Sequence, residues 1–220
     1  MTELDRRIAQ MSPEKRELLL QRLREARASE PGPERITRRA EDGPLPLSFA
    51  QQRLWFLDQL AQGNPFYNAD SAVRFDFPLN VSALERALNE IARRHESLRT
   101  RFVVVGGRAA QVVDPPRRFD LPVIDLSALP AQDRAAEARR LATEEARAPF
   151  DLARGPVVRT RLLKLDSGSW VFLLTMHHIV CDGWSVGLLF QELAALYEAF
   201  ALGRRSPLPE LPVQYPDFAL

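Results

Sequence analysis

A chain of 220 residues that is 45% hydrophobic can bury a sizeable core, as one large domain or one lobe of something larger. Its 30 basic and 29 acidic side chains leave a formal charge of +1, so no basic surplus points to nucleic acid; the single cysteine excludes an internal disulfide and fits a reducing cytoplasm. No apolar run approaches the ~20 residues that cross a bilayer, and the charged start Met1-Thr2-Glu3-Leu4-Asp5-Arg6-Arg7 has no apolar stretch of a secretory signal. A cytoplasmic globular chain with no membrane contact is expected.

Ser12-Pro13 predicts a helix start, with Leu18, Leu19, Leu20 and Leu23 on its apolar side. Prolines 31, 33, 44 and 46, with Gly32 and Gly43, mark residues 29–46 as a linker. Residues 1–28 are then an appendage, either a mobile helix or a docking element for a partner protein, and the body is expected over 47–220. It opens on Ser48-Phe49-Ala50-Gln51, a capping-box spacing. Phe49, Phe56, Leu57 and Leu60 fall on one helical stripe with Arg53 in its middle; a cation there needs a dedicated partner, for a structural role rather than a substrate contact.

Asp70 to Phe77 alternates as a strand. Ser82-Ala83-Leu84-Glu85 predicts a second capping box, opening a helix with Leu84, Ala87, Leu88, Ile91 and Leu98 on one side. His95 shares that side and reads as a packed core histidine. Arg101–Val105 and Ala109–Asp114 form a hairpin across Gly106-Gly107, and Val123-Ile124 a short strand. Ala131–Ala148 is an Ala/Arg/Glu-rich helix, and 157–165 and 169–176 are strands joined at Asp166-Ser167-Gly168. From Ser185 the residues Val186, Leu189, Phe190, Leu193, Tyr197 and Phe200 keep helical spacing, and prolines 207, 209, 212 and 216 predict an extended tail. Helices interspersed with hairpins imply an α/β fold with a mixed or largely antiparallel sheet.

The run Met176-His177-His178-Ile179-Val180-Cys181-Asp182-Gly183-Trp184-Ser185 lies between the apolar strand Trp170–Leu174 and that last helix. Adjacent strand residues point to opposite faces, so His177 and His178 have different tasks, one toward a cavity and one toward the interior. A neutral imidazole accepts a proton near neutral pH. Asp182 is placed to orient it or to pair with an arginine, Gly183 permits close ligand approach, and the helix-start N–H groups favour a developing oxyanion. The set suits acyl transfer. Rival readings are a metal site from His177, His178, Cys181 and Asp182, a Cys181 nucleophile beside His178, and a merely structural histidine pair.

This run closely resembles the His-His-x-x-x-Asp-Gly-Trp-Ser core motif of condensation domains of nonribosomal peptide synthetases. Residues 48–57 resemble the family's first motif, Arg94–Phe102 its second, and Tyr215–Ala219 the start of its fourth; residues 149–156 resemble a further familiar segment. The resemblance covers about residues 45–220. It implies a chloramphenicol acetyltransferase-like lobe, of which two form a V with the site at their junction, the C-terminal lobe being absent from this sequence. The implied reaction is attack of an aminoacyl amine on an acyl or peptidyl thioester, both held on the phosphopantetheine of donor and acceptor carrier domains, with no cofactor or metal bound by the domain itself.

By the same resemblance His178 and Gly183 are catalytic, while His177, Asp182, Arg53, Trp184 and Ser185 are structural parts of the active site. Asp182 would pair with an arginine in the second lobe; residues 1–28, outside the resemblance, are either a mobile helix or a dock for an upstream synthetase subunit. The 220 residues alone are expected to be inactive. Alternatives are a coenzyme A-dependent acyltransferase of the same fold and a non-catalytic lobe that docks a carrier or subunit; His177 speaks against a heterocyclisation domain, and Gly-Trp-Ser with the first motif against an epimerisation domain.

Overall fold

The computed structural model describes residues 36–40 and 43–220. The chain divides into Met1–Ile36 and Thr37–Leu220, and the second unit is the body. The helix expected after Ser12, the appendage 1–28 and the first part of the linker lie outside the described residues. The rest of that linker is part of the body: Leu45–Pro46 is a strand, β1, pairing antiparallel with Gln111 and Ala110. Arg39 is also tied in, its Nη1 lying 2.7 Å from Glu96 and 2.9 Å from Asp217. Prolines and glycines marked a segment without repeating structure, but a buried ion pair and one short β-ladder hold it in place.

Ser48 caps α1 (Phe49–Leu60) in the expected box with Gln51. The stripe the helix buries is not the expected one. Gln51 is buried and Leu54 and Trp55 pack toward Leu47, Phe102 and Ile179, whereas Phe49 is 91% exposed and Phe56 and Leu60 are also exposed. Two apolar stripes compete on this helix, and the one whose polar member, Gln51, is satisfied by the Ser48 amide turns inward.

Next come β2 (Asn68–Phe75) and α2 (Val81–Arg94). Asn80, not Ser82, is the N-cap of α2, its side chain accepting from the Ala83 amide. A hairpin of β3 (Thr100–Val105) and β4 (Arg108–Val113) follows. Gly106 and Gly107 both take positive φ, 57° and 78°, as the tight two-residue turn requires. Then come β5 (Val123–Asp125), α3 (Ala131–Arg147), β6 (Val158–Lys164), β7 (Trp170–His177) and α4 (Gly183–Ala201). The proline-rich tail is not extended throughout, because Tyr215–Phe218 forms a short helix, α5.

The strands make two sheets, β1-β4-β3 and β2-β7-β6-β5. Among the described residues only β5–β6 is parallel. The fold is therefore mixed α/β and largely antiparallel, as expected, though in two sheets. Alternation along β7 sorts its side chains between helix layers. Phe172, Leu174 and Met176 join the cluster with Leu84, Leu88 and Ile91 of α2 and Leu189, Leu193 and Leu196 of α4. Leu173 packs on the other face with Leu141 of α3. Each such fully buried side chain contributes about 1.5–3 kcal/mol of apolar transfer energy. None of the described helices is long and apolar enough to cross a membrane.

Candidate active site

β7 hands the chain into the histidine turn at the end of the core ladder. The His177 amide donates to the Val157 carbonyl (3.0 Å) and the His178 amide to Tyr67 (2.9 Å), while the Val180 amide closes the turn on His177 (3.0 Å). The two imidazoles part company here, as alternation requires. His177 is 2% exposed, with Phe150 edge-on at 6.1 Å and Tyr67 at 6.3 Å. Its Nδ1 accepts from the Ile179 amide at 3.1 Å. Burial, aided by the adjacent His178, pulls its pKa down from 6.5 to about 4, so it is neutral and braces the turn.

His178 is exposed and lines a cavity of about 370 Å³ between α1, the start of α4 and the segment after α2. Its Nδ1 lies 3.2 Å from the Cys181 carbonyl oxygen. A carbonyl only accepts, so this contact places a hydrogen on Nδ1, and in the neutral ring the lone pair sits on Nε2. That is the arrangement a base needs.

Asp182 makes no hydrogen bond to His178. It is the N-cap of α4, its carboxylate accepting the Ser185 amide at 2.7 Å while the Ser185 hydroxyl accepts the Asp182 amide at 2.7 Å. These Ser185 bonds hold the Asp182 carboxyl below the usual carboxylate range. The same cap commits the Ser185 amide, one of the helix-start N–H groups, to an anionic carboxylate. Gly183 has no positive φ, and a Cβ there would meet nothing within 4 Å, so neither backbone nor packing demands glycine. Trp184 is 79% exposed and lines the cavity with Leu188. Cys181 is buried and its thiol is pushed up to about 12, first by burial and then by Asp182, which removes the nucleophile reading.

Two expectations are corrected. Arg53 is exposed and no ion pair or hydrogen bond forms on it among the described residues, because its stripe of α1 faces outward. His95 is not a core histidine. The helix ends at Arg94, and His95 lines the same cavity as His178 with its Nε2 2.8 Å from Glu192. Glu192 has a sequence signal of its own, a carboxylate amid Val186, Leu189, Phe190 and Leu193 of an apolar helix. Tyr215 also reaches the cavity, its hydroxyl 2.9 Å from Ser48 Oγ.

A family model described as Condensation domain matches residues 41–220. The chain belongs to the condensation-domain family. It is 47% identical over 219 residues, all of this chain and 20% of the relative, to phosphinothricin tripeptide synthetase PhsC of Streptomyces viridochromogenes. It is 48% identical over 175 residues to chondramide synthase cmdD of Chondromyces crocatus, covering 80% of this chain and 4% of that one. Among solved structures, the first condensation domain of the calcium-dependent antibiotic synthetase, in complex with a substrate analogue, superposes with a TM-score of 0.70 at 31% identity, over 77% of this chain and 41% of that one. The starter condensation domain of rhizomide synthetase RzmA gives 0.72 at 26% identity, over 78% and 41%. The chain thus spans a fifth or less of these synthetases and about two fifths of the solved domains, and it has their chloramphenicol acetyltransferase-like fold.

Proposed function

We propose that these residues are the histidine-bearing half of a domain that joins a carrier-bound acyl or peptidyl thioester to the amine of a carrier-bound aminoacyl group. The observation that carries the reading is the posture of His178: exposed on the cavity, with Nδ1 committed to the Cys181 carbonyl and Nε2 free. In this reading Nε2 accepts a hydrogen bond from the attacking amine, directs its lone pair at the thioester carbon and takes the N–H proton as the tetrahedral intermediate forms. His177 and the Asp182–Ser185 cap hold the turn in place. The open space at Gly183 lets a thioester lie against the backbone. Exposed Trp184 and Leu188 support a cleft completed by the remainder of the domain, so the reaction is proposed for the complete domain and not for these 220 residues alone.

The phosphopantetheine arms belong to donor and acceptor carriers, which are the proposed partners. Incubating the full-length synthetase with an acyl-loaded donor and an aminoacyl-loaded acceptor is expected to move the acyl mass onto the acceptor, seen by intact-protein mass spectrometry. Transfer only from soluble coenzyme A thioesters, with loaded carriers inert, would replace this reading by that of a free-standing acyltransferase.

A further inference from the structure

The cleft holds a second imidazole. His95 follows the last turn of α2, its backbone N–H bonded to the Ile91 carbonyl at 3.0 Å, where the helix's partial negative end favours a cation. Its Nε2 lies 2.8 Å from Glu192 Oε2 on α4. Burial works to raise the Glu192 pKa, but the hydrogen bonds of Arg94 and His95 outweigh it and hold the group below the usual carboxylate range. An anionic carboxylate only accepts, so Nε2 of His95 carries a hydrogen, and in the neutral ring the lone pair sits on Nδ1. Nδ1 bonds to none of the described residues and is not among the buried polar atoms left without a partner. The two imidazoles on one cavity are therefore tied by acceptor-only partners at opposite ring nitrogens, each keeping one basic nitrogen.

The proposed reaction has work for both. An α-amine with a pKa near ~8 is mostly ammonium at neutral pH and has no lone pair to attack with. Forming the amide from ammonium and thioester yields amide, thiol and one net proton. Of the two protons nitrogen loses, one departs before attack and the other as the C–N bond forms and the C–S bond breaks; one ends on the sulfur and one in solvent. His178 suits the second.

Resting on the function proposed above, we infer that His95, oriented by Glu192, takes up the proton the incoming acceptor ammonium sheds before attack. The charged and titratable groups facing it are Arg94 on its own helix, Glu192 from α4, Tyr215 from α5, and His178 and Asp182 from the histidine turn and helix start. Arg94 is matched by Glu192 and by the Pro209 carbonyl at 2.8 Å, so an imidazolium at His95 does not face a bare guanidinium.

The test compares two acceptors in single-turnover amide formation by the full-length synthetase, from about pH 6 to about pH 9: an aminoacyl carrier and an aminooxyacyl carrier whose nucleophile is neutral throughout. His95→Gln, which keeps a donor for Glu192, is expected to slow the amine acceptor about 10-fold near pH 7, the factor by which free amine is scarce there, with the deficit shrinking as pH rises. The aminooxy acceptor is expected to change by less than about threefold. Glu192→Gln should repeat the pattern more weakly, and a thermal melt of each variant checks folding. His178→Ala should lose both acceptors alike. Equal losses for the two acceptors in His95→Gln and Glu192→Gln, or no loss in either, overturn the inference; a wild-type enzyme that joins neither acceptor overturns the proposed function instead.

Discussion

Replacing Arg39 by alanine removes the cation from a buried three-way contact. Its guanidinium is 2.7 Å from Glu96 and 2.9 Å from Asp217, and the three side chains are 7%, 7% and 0% exposed. The Asp217 carboxyl lies below its usual pKa: burial opposes this, but the Gln214 amide and Arg39 prevail. Arg39→Ala therefore leaves Asp217 with no cation among the described residues and Glu96 with only its longer contacts to Arg99 (3.6 Å) and Arg38 (3.9 Å), and breaking a buried ion pair in this way costs about 3–5 kcal/mol. At ~2–4 °C per kcal/mol for a body of this size, the midpoint of thermal unfolding should fall by roughly 6–20 °C. Arg93→Ala is the control, since Arg93 pairs with Glu90 and Glu210 at the surface, where such contacts contribute about 0–1 kcal/mol. The assay is far-UV circular dichroism of the 220-residue chain heated at neutral pH. Combining Arg39→Met with Glu96→Gln and Asp217→Asn should recover much of the loss. A fall of under about 2 °C for Arg39→Ala, no larger than for Arg93→Ala, would refute the argument.

His177 sets a pH dependence of stability. Its folded pKa of about 4 lies below the ordinary 6.5, so the unfolded chain binds more protons between those values. No penalty exists above about pH 6.5; it grows as pH falls toward about 4 and reaches at most about 3 kcal/mol. Denaturant titrations of wild type and His177→Asn at several pH values should differ by this slope, and parallel curves would contradict it. Cys181, buried with its thiol pushed up to about 12, should resist iodoacetamide at mildly alkaline pH while folded and react once unfolded, as alkylation mass spectra will show. Asp182→Ala deletes the α4 cap and should cost about 1 kcal/mol in urea unfolding; a cost near zero would say that the cap is idle.

The strands and long helices were legible because their periodicity is strong. β7 is a continuous apolar run, the Gly106-Gly107 turn has the chemistry its positive φ values need, and α4 keeps a helical stripe from Val186 to Phe200. The split between His177 and His178 followed from strand alternation. Periodicity could not choose between the two apolar stripes of α1, and the choice fell to the tertiary partners Leu47, Phe102 and Ile179; Arg53 went outward as a result. Nor could it mark the helix end that takes His95 out of the core and into the cleft, since the partner that draws it there, Glu192, is distant in sequence. Arg39 in a proline-marked segment is the same case: its partners Glu96 and Asp217 are brought to it by the fold.

The central claim is that one imidazole, His178, meets the nucleophilic amine while its neighbour braces the turn. The most direct measurement is single-turnover amide formation by the full-length synthetase carrying His178→Ala, with both carriers loaded and the variant's thermal midpoint checked against wild type. A loss of about 100-fold or more with folding intact is the expected result. Amide formation at the wild-type rate would contradict the account.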